Sequence, residues 1–166
     1  MITLQHVNPS GSRTFMGALT NGADIHAAMA QVARAQNIGA GAFELLGGLT
    51  EAEFTEYDFI KQERKPALKF TRALEIVAGH GTLSWLEHEP FVHLHLVCSF
   101  RDESAPHGIS LIGGHAARAS AFAVEFTLTA FDGAPVHRAL HAGTGLKLWN
   151  LSPLPTGEGS GVRVKQ

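Results

Sequence analysis

Two histidines one residue apart on a short apolar run, Pro90-Phe91-Val92-His93-Leu94-His95-Leu96-Val97, are followed twenty residues after the second by a third, Gly113-Gly114-His115. The run reads as a β-strand, whose successive side chains point to opposite faces. His93 and His95 therefore share one face, and Val92, Leu94, Leu96, Cys98 and Phe100 share the other. Two strand rises separate the two histidine Cα atoms by roughly 6.5 to 7 Å, which lets both imidazoles lean toward one ion at about 2.0 to 2.1 Å. Three neutral imidazoles with an open fourth position suit a divalent metal of catalytic type, with zinc the first choice, whereas structural zinc sites are usually closed by four ligands rich in cysteine. Cys98 is the only thiol in the chain and faces away. Copper, iron and nickel also accept imidazole. The same three residues would serve equally as histidines packed in a subunit interface or hydrogen-bonded in a half-buried sheet.

The third histidine must be brought in by pairing. The segment from Arg101 to Gly108 is polar, contains Pro and Gly, and precedes a second apolar run, Ile109 to Ile112, so the pattern is strand, loop, strand. Antiparallel pairing centred on Ser104 sets His115 opposite His93, a slip of two residues sets it opposite His95, and a slip of one sends it to the wrong face. Gly113 and Gly114 fit a bulge or a close backbone approach that aims the next side chain. Acids that could relay a proton near such a site are Glu75, in Ala73-Leu74-Glu75-Ile76-Val77, and Glu125, in the alternating stretch Ala119 to Phe131. Solvent exposure explains either acid as well.

The remaining elements form the frame. Thr14 to Leu19 alternates weakly before the turn dipeptide Asn21-Gly22 and reads as the first strand. Residues 24–37 (DIHAAMAQVARAQN) repeat apolar side chains at Ile25, Ala28, Met29, Val32 and Ala33, the spacing of one helical face, between a capping Asp24 and Gly39. Strands are expected at Gly39 to Gly48, around Glu53 to Phe59, at Ala67 to Val77 and at Thr82 to Trp85. In Ala119 to Phe131, Phe122, Val124, Phe126 and Leu128 fall on one face. From Ser152 onward Ser, Pro and Gly dominate, too little apolar surface to offset the cost of ordering. The expected organisation is an extension over 1–12, one domain over 13–151 and a flexible tail over 152–166.

Composition narrows the function. The chain has 166 residues, 45% of them hydrophobic and 17% charged, enough to fill one core. A formal charge of −2 supplies no overall attraction to phosphate backbones. The local exception is Lys61, Arg64, Lys65, Lys69 and Arg72, opposed within that stretch by Glu63, a cluster that could hold an anion or a phosphate or else form a solvated loop. The N-terminal residues lack a basic segment followed by an apolar stretch, no apolar run approaches the roughly 20 residues that cross a bilayer, and a single cysteine suits a reducing compartment. A cytoplasmic protein without a membrane partner is expected.

The order of these pieces resembles the PPC domain, named for plants and prokaryotes, from about Arg13 to Leu151. The resemblance is carried by Asn21-Gly22-Ala23-Asp24-Ile25 before the helix, Ile38 to Gly48 after it, Leu74-Glu75-Ile76-Val77 with Gly79 and Gly81, Pro90 to His95 with Gly113-Gly114-His115, and Val124-Glu125. It implies an α/β fold of the α+β type, with a central, mostly antiparallel mixed sheet, a main helix at 24–37 and a homotrimer. It also implies a DNA-binding or regulatory role. Against that stands a metal-dependent enzyme of lyase or hydrolase type, or a small-molecule binder, acting at His93, His95 and His115.

Overall fold

The computed structural model describes residues 3–152. Of the expected tail only Ser152 belongs to this range; the rest lies outside the described residues. The elements are β1 (Ser12–Leu19), α1 (Ile25–Ala35), β2 (Gly41–Thr55), β3 (Tyr57–Asp58), β4 (Glu63–Arg64), β5 (Leu68–Leu86), β6 (Glu89–Arg101), β7 (Ile109–Phe131), β8 (Arg138–His141) and β9 (Leu146–Trp149). No helix among the described residues is long and apolar enough to cross a membrane.

The central sheet runs β1-β7-β2-β5-β6, and β6 returns to pair with the first residues of β7. Strand β7 is long enough to serve twice: Ile109 to His115 pair with β6, and Val124 to Phe131 pair with β1, while β2 occupies the other edge from His115 to Ala130. The result is a largely antiparallel sheet with barrel-like closure. The mixed character expected from sequence amounts to one isolated parallel bridge, between Trp85 and His137.

Helix α1 packs against β5, β6 and β7. The Asp24 carboxylate caps it by accepting from the Ala27 N–H at 2.9 Å, and Ile25, Met29 and Ala33, four residues apart, are its buried face. The helix ends earlier than its sequence pattern, and the left-handed residue that stops it is Asn37, at φ 51°, not Gly39. Gly39 answers to space instead, since a Cβ there would lie 2.9 Å from the Pro135 Cα. On β6 the apolar face of the alternation, Leu94, Leu96 and Cys98, is fully buried in the core with Phe43, Leu49 and Leu128. Burial of each such side chain contributes about 1.5 to 3 kcal/mol.

Two expectations about strands need correction. The segments expected at Gly39–Gly48 and Glu53–Phe59 are largely one strand, β2, and those at Ala67–Val77 and Thr82–Trp85 are one strand, β5. Each is kept bent by bulges rather than broken. In β7 the register shifts between the Gly48 and Leu49 partners, so Ala121 and Val124 both point inward and Phe122 points out. One added residue reverses the parity of the stretch before it, and a second shift between the Glu53 and Phe54 partners restores it before Ala116.

The β6–β7 loop fixes the register that the histidines need. Asp102 Oδ1 accepts from the Ser104 N–H and hydroxyl at 3.0 and 2.6 Å, its Oδ2 accepts from the Ser110 hydroxyl at 2.6 Å, and its N–H donates to the Gly108 carbonyl at 2.9 Å. The first pair beyond the loop is Arg101 with Ile109, so the turn is centred on Ala105 and His115 faces His95, two residues from the Ser104-centred register. Parity is preserved. The glycine pair is not a bulge but a close approach: a Cβ on Gly113 would lie 2.5 Å from the Leu96 carbonyl oxygen, and Gly114 sits at φ +146°. Gly113→Ala should therefore cost about 1 to 3 kcal/mol by forcing β6 and β7 apart. A lower urea midpoint with unchanged slope checks this.

Candidate metal centre

His93 and His95 stand on β6 and His115 on β7, all on the outer side of the sheet. They occupy adjacent positions in a grid whose neighbours are His80 opposite His95, Thr82 opposite His93 and Thr55 opposite His115. Ring centroids of the three are 5.1, 5.0 and 5.3 Å apart. One nitrogen from each lies within 4.8 Å of the others, and the Nε2 atoms of His93 and His95 are 3.2 Å apart. Ligand nitrogens on a tetrahedral zinc at about 2.0 to 2.1 Å stand about 3.3 Å from one another, so His93 and His95 already match such an ion and His115 is within reach of it. No fourth His, Cys, Asp or Glu joins this group among the described residues. The nearby His80 ring stacks at 6.3 Å from His95 and remains outside it.

Electrostatics keep the rings neutral, the form in which imidazole binds metal. Burial pushes His93 down to about 4, with help from Arg138 and His95, and pushes His115 down to about 3, with help from Arg64 and His93. His95 is lowered by burial first and by His80 and Arg64 next. Cys98, buried behind β6, has its thiol raised to about 11 by burial and contributes packing only.

A cleft of about 1180 Å³ opens over the histidines. One wall is the β3–β4 hairpin, which the sequence had suggested as the end of a strand; its tip exposes Phe59 and Ile60. The other wall is the β8–β9 hairpin. The two are tied by the Tyr57 hydroxyl donating to the Thr144 carbonyl at 2.8 Å and by Gln62 Nε2 donating to the Gly143 carbonyl at 3.3 Å. From the first hairpin comes Arg64. From the second comes Arg138, whose guanidinium lies 4.6 Å from the centroid of the Phe91 ring, two positions before His93 on the same face of β6. Glu75 and Glu125 do not line this cleft. Glu75 pairs with Ser99 and Gly48, and Glu125 lines a different concavity beside Met16, Leu46 and His80. Among the described residues the cleft's one acid is Glu56, held by Lys65. Nothing in sequence spacing marked Arg138, which reaches the site from a separate hairpin.

The neutral histidines carry a consequence for metal-free protein. Unfolded, both His93 and His115 take a proton near 6.5, whereas folded they resist until about 4 and about 3. Between those values the unfolded chain holds more protons, so stability is lost as pH falls below 6.5. The urea midpoint of the metal-free chain is expected to drop between about pH 7.5 and about pH 5, and a His93→Gln, His115→Gln double variant to flatten that drop.

Comparison with solved structures finds the same fold repeatedly. A metal-containing protein from Archaeoglobus fulgidus is 26% identical, with a TM-score of 0.76 over 90% of this chain and 98% of its own. A plant- and prokaryote-conserved (PPC) protein from Pyrococcus horikoshii is 23% identical, with a TM-score of 0.74 over 86% of this chain and 94% of its own. A candidate DNA-binding protein from Ralstonia eutropha JMP134 is 20% identical, with a TM-score of 0.70 over 88% and 94%. Comparison with curated proteins gives no match. The profile of the Plants and Prokaryotes Conserved (PCC) domain matches residues 6–132, which includes both strands that carry the histidines. With that match spanning most of its length, the chain belongs to the Plants and Prokaryotes Conserved domain family.

Proposed function

We propose that this protein holds a divalent metal ion, zinc by preference, on His93, His95 and His115, and that the ion serves a small-molecule site in the cleft above it. The observation that carries this reading is the convergence of three imidazoles on one point beneath a cleft of about 1180 Å³. The relative from Archaeoglobus fulgidus is itself a metal-containing protein. A zinc ion bound there would supply Lewis acidity, which suits lyase or hydrolase chemistry. The protein's own contribution is to keep the rings neutral, to exclude water with Phe54 and Phe91, and to present Arg64 and Arg138. Neither Glu75 nor Glu125 is within the cleft, so general-base work would fall to Glu56 or to the ligand itself. Chain purified without a nickel column should carry close to one metal per subunit by elemental analysis. His95→Ala should lose most of it with the far-UV spectrum unchanged; full retention would refute the reading.

A homotrimer in the cytoplasm is the accompanying proposal. Its support is an outer surface that leaves Met16, Leu46, Val77 and Phe122 largely exposed, an apolar area that water alone does not favour. Light scattering should give three chains per particle, and Leu46→Glu should dissociate them. The names of the Ralstonia relative and of one from Bacteroides thetaiotaomicron favour a DNA-associated role as the second reading. It requires salt-dependent retention on DNA, against a formal charge of −2.

A further inference from the structure

The basic cluster at 61–72 separates into paired and unpaired cations. Lys61 lies 4.0 Å from Glu63, Lys65 pairs with Glu56, and Lys69 lies 2.8 Å from Glu51. Arg72 donates to the Arg101 carbonyl at 2.6 Å and stacks on Phe100. Arg64 is the exception, with no ion pair and no side-chain hydrogen bond among the described residues, and it lines the cleft over the histidines. Arg138 is the other arginine there; of the lysines that also line the cleft, Lys65 is paired with Glu56, and Lys147 lends its carbonyl to Arg138. Arg138 is almost wholly buried, its Nε donates to the Ser84 hydroxyl at 2.7 Å and its Nη1 to the Lys147 carbonyl at 2.9 Å. Among the described residues its Nη2 has no partner, and no carboxylate pairs with the group. A buried guanidinium held rigid by two neutral acceptors and an aromatic ring, without a counter-ion, is a costly arrangement unless something anionic completes it.

Two such arginines from the two hairpin walls, in a cleft also lined by Phe54, Phe91 and Leu146, make a receptor for an anion that carries carbon. We propose that the cleft binds a small organic carboxylate, its charged end between Arg64 and Arg138 and its carbon body on Phe54, Phe91 and Leu146. The inference rests on the metal-centre reading, because it takes the ligand to span from the histidine site to the two arginines. Inorganic phosphate has the charge but no use for the apolar wall, and a neutral amide has the shape without the charge.

The test uses full-length chain loaded with zinc, its zinc content measured first, and titration calorimetry with butyrate, butyramide and inorganic phosphate. Butyrate is expected to bind more tightly than either of the others. Arg64→Ala should weaken butyrate about ten-fold with zinc content unchanged, while Lys61→Ala, on the same hairpin but paired, should leave it unaltered. Butyramide or phosphate binding as well as butyrate would overturn the proposal, as would equal losses in the two variants. One zinc per chain with no butyrate binding would overturn this inference alone, whereas a wild-type chain that takes up no zinc would sink the metal reading and this inference with it.

Discussion

The contact on which the rest depends is the close passage of β6 over the start of β7. Gly113 admits the Leu96 carbonyl where any Cβ would collide, and that passage closes the barrel and sets His115 beside His95. Closure and site assembly are thus one event. The same pairing buries Leu94, Leu96 and Cys98 on one side and presents His93 and His95 on the other. The hydrophobic energy that holds the core also holds the imidazoles in place, with no need for a dedicated scaffold.

Around this rigid base the walls are slighter. Two short hairpins, one of two-residue strands and one of four-residue strands, supply Arg64 and Arg138. They differ in firmness. Arg138 is locked by Ser84, Lys147 and Phe91, whereas Arg64 rides on a hairpin whose tip is exposed. The candidate site combines a floor built on the main sheet, one arginine held by three contacts and one without a side-chain partner among the described residues.

Much of this was legible in the residues. The alternation in Pro90 to Val97 declared a strand with both histidines on one side, and the helix at Ile25 to Ala35 announced itself by its apolar repeat. Hairpin arithmetic placed His115 on the right face but two positions off, because the Asp102–Ser104–Ser110 bonds that centre the turn on Ala105 are side-chain contacts that spacing does not encode. Phe122 was misassigned for a related reason, a bulge that strict alternation hides. Arg138 was invisible since its relation to His93 passes through Phe91 and a hairpin far along the chain. The basic run at 61–72 was visible, but which member stays unpaired depends on partners outside the run, such as Glu51 on β2 and Glu56 just after it.

Strand β7 runs 23 residues without interruption, so Phe122 on the outer apolar surface and His115 at the site are fixed seven positions apart along one backbone. A neighbouring subunit seated against Phe122 would grip the same continuous ribbon that carries an imidazole, and assembly and chemistry would share a common mechanical reference.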